Sequence, residues 1–192
     1  MNHPIAPTEL PNLRDGLRRA LPGLGVVIVV VALLGAHAQG PLTAAAEAFV
    51  TEGGLIGVFA ASLALDAVPG VGAQPVIFLA WIGGLGFLPV LFAAGSGGVV
   101  AGAVSWSIGR GLGRIPRARR WFEEAGIAPL LRRYGARAVF ASAILPFPYA
   151  LTTLAAGATG LPLSATLLGA LGRFPKALLN LTVMAAGWSL TD

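Results

Sequence analysis

The sequence predicts an all-α membrane protein: an inverted repeat of re-entrant hairpin plus transmembrane helix, preceded by one N-terminal transmembrane helix. Three observations predict it. Of the 192 residues, 56% are hydrophobic and 11% charged, with a mean hydropathy of +0.79, whereas an average soluble domain carries about 25% charged residues. The charges are clumped, with long apolar stretches between the clumps. Proline and glycine breakers also recur in the same order in the two halves of the chain. A soluble globule of this length could not hide so much apolar surface, but a bilayer takes up the excess.

Composition also removes whole classes of function. One domain is the natural count at this length, so a separate soluble catalytic module is excluded and no enzyme is expected. There is no cysteine, which excludes disulfides, thiolate metal sites and thiol nucleophiles. The two histidines, His3 and His37, cannot make a metal site by themselves. Neither metal nor cofactor is therefore expected.

The charge-free stretches define the elements. Residues 1–22 form a basic arm carrying Arg14, Arg18 and Arg19, and residues 23–192 form a single integral membrane domain. The first crossing lies at about Leu24–Ala38, around the run Val26–Val31. A secretory signal is the rival reading, since Ala36-His37-Ala38 imitates a cleavage site. The long, Pro-rich arm favours a membrane span with a cytoplasmic N-terminus. The following loop, about Gln39–Gly53, holds Glu47 and Glu52 without Lys or Arg, as an exterior loop should.

Residues 54–110 make the first repeat. Leu55–Leu65 is apolar, and Pro69, Gly70, Gly72 and Pro75 then deny the backbone a regular helix. Val76–Ile82 is apolar again and runs into Gly83, Gly86 and Pro89. Irregular backbone at membrane depth survives only within protein or a wet cavity, so Gly54–Phe87 reads as a re-entrant hairpin with its tip at Pro69–Pro75. A full span follows over Pro89–Ile108, and its Gly98-x-x-x-Gly102 allows close helix packing.

Residues 111–137 are the cytoplasmic basic loop, where Arg114, Arg117, Arg119, Arg120, Arg132, Arg133 and Arg137 face only Glu123 and Glu124. Trp121, Phe122, Leu130 and Leu131 among them predict a helix lying in the interface, with anionic lipid headgroups as counter-ions and no nucleic acid.

Residues 138–190 repeat the pattern. Ala138–Leu145 is apolar, Pro146 and Pro148 break it, Ala150–Ala156 is apolar, and Gly157, Gly160 and Pro162 form a second break before the last span. Pro69, Gly83, Gly86 and Pro89 thus correspond to Pro146, Gly157, Gly160 and Pro162. Paired interrupted segments point to a transporter's binding site. In this topology the hairpins enter from opposite sides.

The runs Trp106-Ser107-Ile108-Gly109-Arg110-Gly111-Leu112-Gly113, Arg133-Tyr134-Gly135, Ile144-Leu145-Pro146-Phe147-Pro148-Tyr149 and Ala155-Ala156-Gly157 resemble the DedA family, also called the SNARE-associated or VTT-domain membrane proteins. The resemblance covers about residues 54–188. It implies a multi-pass protein of the bacterial cytoplasmic membrane with two opposed hairpins. Members are implicated in moving lipids across the bilayer, undecaprenyl phosphate and phosphatidylethanolamine among them, and some depend on the proton-motive force. Typical members have two acidic residues around the first hairpin; here Asp66 stands at the first position and Gln74 at the second. They also have two arginines around the second Pro motif, where this chain has Ala143 and Tyr149. The Pro-x-Pro-Tyr variant resembles the YqaA-like subgroup.

The expected proton and substrate path therefore comprises Asp66, Gln74, Tyr149, Arg173 and Lys176. Arg173 and Lys176 interrupt an apolar run, where an ionisable group costs several kcal/mol unless paired, hydrated or snorkelling. Snorkelling at an interface is the bland account of both, and a helix-end carboxylate at the outer surface is that of Asp66. An Asp66 pair with the cations of the second half would relieve both charges. Arg110 and Arg114 read as topology anchors. Gly95-Ser96-Gly97-Gly98 imitates a nucleophile turn without a partnering histidine. Asn180-Leu181-Thr182 is a sequon in a lipid-facing helix, where it is unusable. The expected activity is proton-coupled lipid flipping or scrambling; the alternatives are a proton-coupled small-solute transporter and a non-transporting membrane scaffold. The oligomeric state stays open between a monomer and a homo-oligomer.

Overall fold

The computed structural model describes residues 13–70, 72–145 and 147–188, with side-chain surroundings from Gly40 onward. Residues 1–12 of the basic arm, Val71 at the first hairpin tip and Pro146 at the second break lie outside the described residues. The described chain is all-helical without strands. In order, its helices are α1 (Leu13–Ala67), α2 (Gln74–Ile82), α3 (Phe87–Leu112), α4 (Pro116–Glu124), α5 (Ile127–Tyr134), α6 (Ala136–Ile144), α7 (Tyr149–Ala158), α8 (Leu163–Ala170) and α9 (Arg173–Trp188). Residues 39–182 form one compact unit, and residues 1–38 with 183–192 another. Everything below concerns the first unit.

One expectation is corrected at once. The exterior loop over Gln39–Gly53 is helix, because α1 continues to Ala67. The absence of Lys and Arg there argued for a side of the membrane, whereas Ala44, Ala45, Ala46 and Ala48 supply the strongest helix former. Within α1, Gly54 has a positive φ of 50°. Gly40–Ala67 and Phe87–Leu112 are each long and apolar enough to cross a bilayer.

The turns after α2 and α7 close in the same way. At the end of α2, Gly84 N–H donates to Trp81 O and Leu85 N–H to Ala80 O; at the end of α7, Gly160 N–H donates to Gly157 O and Leu161 N–H to Ala156 O. Both ends are Schellman closures, which need a left-handed residue, and Gly84 and Gly160 supply it with φ of 93° and 81°. Extended caps follow at Gly86 (φ −60°, ψ 148°) and Pro162 (φ −57°, ψ 143°), after which α3 and α8 begin. The spacing along the chain is the same for each of these pairs. The breaker that matches Gly160 is thus Gly84, not Gly86. Gly157 lies inside α7, where a Cβ would strike the Trp106 carbonyl oxygen. A breaker and a packing glycine look alike in sequence; only φ separates them.

Helix α3 packs chiefly on α7, then on α8. Gly109 makes the α3–α7 contact close, since a Cβ there would fall on the Leu154 backbone. Around this crossing Phe122, Ile127, Ala128 and Leu131 of α4 and α5 are buried with Val139, Ala143, Tyr149 and Ala155. Phe122 and Leu131 therefore do not lie in an interface, as the sequence led one to expect; Trp121 and Leu130 are exposed. Arg132 donates to both carboxylate oxygens of Glu123, at 2.5 and 2.7 Å, and ties α5 to α4. That hydrogen bond holds the Glu123 carboxyl below its ordinary pKa. The pair is solvent-exposed and adds little to stability.

Gly109→Ala should force α3 and α7 apart and destabilise the fold by roughly 1–3 kcal/mol, the usual cost of overpacking. Gly111→Ala, with open space around it, should leave the thermal midpoint in detergent unchanged or slightly raised. Equal midpoints for both variants would contradict the contact.

Candidate functional site

Asp66 is the penultimate residue of α1, and the chain folds back around its side chain. Oδ1 accepts from the Ala73 N–H at 3.3 Å, which ties the turn between α1 and α2. Oδ2 accepts from Arg173 Nη2, joining the first half of the chain to the second. Arg173 opens α9. The chain turns at Leu171-Gly172 after α8 ends, so the apolar run is interrupted just before Arg173. The side chains of Asp66 and Arg173 are only 3% and 8% exposed. Arg173 is therefore a core residue, and the snorkelling account of it fails.

Two further residues hold the pair. The Arg173 Cζ stands 4.9 Å from the centroid of the Tyr149 ring, a cation–π geometry. The Tyr149 hydroxyl donates to the Gly98 carbonyl at 3.2 Å. Gly98 is the floor beneath the charges, since a Cβ there would lie 2.8 Å from both Arg173 Nε and Asp66 Oδ2. Its helix neighbours serve the same surface. A Cβ at Gly97 would meet the Phe59 carbonyl of α1 at 2.5 Å, and one at Gly102 would meet the Tyr149 hydroxyl. The Gly98-x-x-x-Gly102 motif thus accommodates a polar centre as well as a helix crossing.

A cavity of about 250 Å³ opens on this centre. Asp66, Gln74, Tyr149, Arg173 and Lys176 all line it, so the structure brings the five expected path residues together. Gly70, Gly72 and Pro148 line it too, whereas Pro69 and Pro75 are exposed elsewhere. Adjoining it is a space of about 10 Å³, the size of one water, which shares Asp66, Gln74, Arg173 and Lys176 and adds Asn180. The ion pair forms a wall common to both. Asn180 was dismissed as a lipid-facing sequon residue; it is half-buried, one turn beyond Lys176. That spacing from Lys176 was the available signal. Lys176, the sole lysine of the chain, makes no salt bridge among the described residues. One carboxylate faces two cations, so the cavity carries net positive charge.

The remaining candidates lie elsewhere. Ser96 Oγ donates to the Phe92 and Ala93 carbonyls of its own helix at 2.7 and 3.0 Å, the behaviour of a helix serine. Arg110 is exposed and lies 5.1 Å from the Trp106 ring, apart from the cavity. Among the described residues no three metal-binding side chains converge.

Breaking a buried pair by removing one partner costs about 3–5 kcal/mol because the other charge is stranded. Asp66→Asn and Arg173→Gln should each lower the thermal midpoint, and the double variant should be better folded than either. The coupling should exceed roughly 0.5 kcal/mol, the scatter expected of independent sites. Strictly additive shifts would mean that the two charges do not interact in the folded protein.

Comparison with known proteins adds one finding. No curated protein and no solved structure matches this chain. Residues 68–186 match the VTT domain, the domain of the DedA family. That match takes in α2 to α8, nearly all of α9 and Arg173, and every lining residue of the cavity except Asp66. VTT-domain proteins are membrane-associated, in keeping with two helices long and apolar enough to cross a bilayer. The chain belongs to the VTT-domain, or DedA, family of membrane proteins.

Proposed function

We propose that this protein moves lipids, of the undecaprenyl phosphate or phospholipid kind, across the bacterial inner membrane as a flippase or scramblase without chemical catalysis. The observation that carries the reading is the buried Asp66–Arg173 pair flanked by a polar cavity. An intramembrane ion pair is costly to build and marks a path for ions or charged substrates. The family pattern of two arginines is absent at Ala143 and Tyr149, yet Arg173 stands over the Tyr149 ring. The cation is supplied from α9, next to the position where the side chain is missing.

In this mechanism the turns after α1 and α6 are the tips of two re-entrant hairpins that enter from opposite faces. The N-terminus and the arginine-rich loop are cytoplasmic. A proton delivered to Asp66 cancels the carboxylate's hold on Arg173, and the freed guanidinium, with Lys176, receives the phosphate headgroup. Loss of that proton from Asp66 on the other side of the membrane re-forms the pair and expels the headgroup. Proton entry is thereby coupled to lipid movement. The same site would also accept a small anionic solute, which makes solute transport the second reading, on the strength of a cavity of only about 250 Å³.

Liposomes holding only the pure protein should translocate fluorescent headgroup-labelled lipids. Asp66→Asn should slow this roughly tenfold or more, equivalent to ~1.4 kcal/mol in the barrier, while the variant stays folded. Uptake of small anions without lipid movement would favour the second reading. Neither activity would leave a scaffold. A cysteine at Val68, exposed at the cavity mouth, should react with an impermeant thiol reagent slowly but measurably, as a tip in a wet cavity would. Labelling confined to detergent-solubilised protein would count against the hairpin.

A further inference from the structure

A second cationic cavity lies where the apolar run of α3 ends. Helix α3 stops at Leu112, and the chain turns through Gly113, Arg114 and Ile115 into α4. Gly113 lies against α7, since a Cβ there would be 2.6 Å from the Ala158 carbonyl. The turn and the first two turns of α4 enclose about 340 Å³, lined by Arg114, Arg119, Arg120 and Glu123 with the backbone at Gly113 and Pro116. The charge balance in this corner is one-sided. Both oxygens of Glu123 are engaged by Arg132 from α5. None of Arg114, Arg119 and Arg120 forms a salt bridge among the described residues. Three guanidiniums thus face one space whose sole carboxylate is already taken.

We propose that this corner binds the phosphate headgroup of an anionic membrane lipid, at a site separate from the Asp66–Arg173 cavity. Guanidinium groups bind phosphate through paired, charge-assisted hydrogen bonds, and three around one cavity suit a phosphodiester. The depth selects a lipid over a soluble anion. The cavity begins at the end of a helix long and apolar enough to cross the bilayer, the level at which lipid phosphates lie. Ile115 in the turn and Trp121 farther along α4 have 49% and 48% of their surface exposed, and apolar side chains at that level rest against acyl chains. A binding site for soluble phosphate has no use for them. The other exposed arginines of the loop, Arg117 and Arg133 among them, do not line the cavity. The bound lipid would fasten the α3–α4 corner to the bilayer whatever the central cavity transports.

The test compares variants of equal charge. The full chain is released from micelles holding equal phosphatidylglycerol and phosphatidylcholine and examined by native mass spectrometry. Wild type should retain one phosphatidylglycerol. Arg114→Gln/Arg120→Gln should lose that preference at least tenfold, while Arg117→Gln/Arg133→Gln should keep it within twofold. Equal loss in both would reduce the site to a diffuse basic surface and overturn the proposal. So would inorganic phosphate competing as well as short-chain phosphatidylglycerol, because the lipid would then have no advantage. Should the site variant fold poorly, photo-crosslinkable phosphatidylglycerol added to wild type should label residues 113–123; labelling spread evenly over the loop would also overturn it. None of these readouts depends on lipid translocation.

Discussion

A carboxylate and a guanidinium buried against each other in a chain of this hydropathy dictate much of the surrounding structure. Neither Asp66 nor Arg173 tolerates burial alone, because the desolvation of an unpaired charge far exceeds what apolar packing returns. Their meeting requires α1 to stop where it does, with Ala73 N–H folded back onto Oδ1. It requires the chain to break between α8 and α9, so that the side chain leaves the first residue of α9. It also requires that the facing helix present no side chain, and Gly98 meets that demand. Tyr149 closes the arrangement with its ring against the guanidinium and its hydroxyl on the Gly98 carbonyl.

Helix α3 is the template on which these demands are reconciled. Its glycines admit a different neighbour at each level: the Phe174 ring at Gly95, the α1 backbone at Gly97, the ion pair at Gly98, the Tyr149 hydroxyl at Gly102 and the α7 backbone at Gly109. In lipid no hydrophobic force drives helices together, so close backbone approach and polar contacts must do so. The same small-residue face supplies both. A glycine-rich helix also has little side-chain entropy to lose on packing.

The two halves solve one backbone problem twice and a charge problem once. Schellman closures at Gly84 and Gly160, each followed by an extended cap and a new helix, form the shared frame. The charges are divided between the halves, Asp66 in one and Arg173 with Lys176 in the other. Neither half alone could pair its own buried ion.

The sequence by itself determined the solvent, the helical class and the breakpoints. Apolar excess, clumped charge and proline or glycine spacing are local properties that survive without tertiary context. Asp66, Arg173 and Lys176 stood out because a charge in an apolar run is conspicuous, whereas Gln74 and Tyr149 were named only through the family resemblance. Local signals misled where one residue type serves two ends: Gly157 packs where Gly160 turns, the alanines of 44–48 are helix where missing bases implied a loop, and Phe122 and Leu131 are core where Trp121 and Leu130 are surface. Only the tertiary structure decided which partner each charge takes. Asp66 and Arg173 are more than a hundred residues apart, and no local propensity links them. Packing of α3 against both halves brings them together, through the floor that Gly98 leaves open.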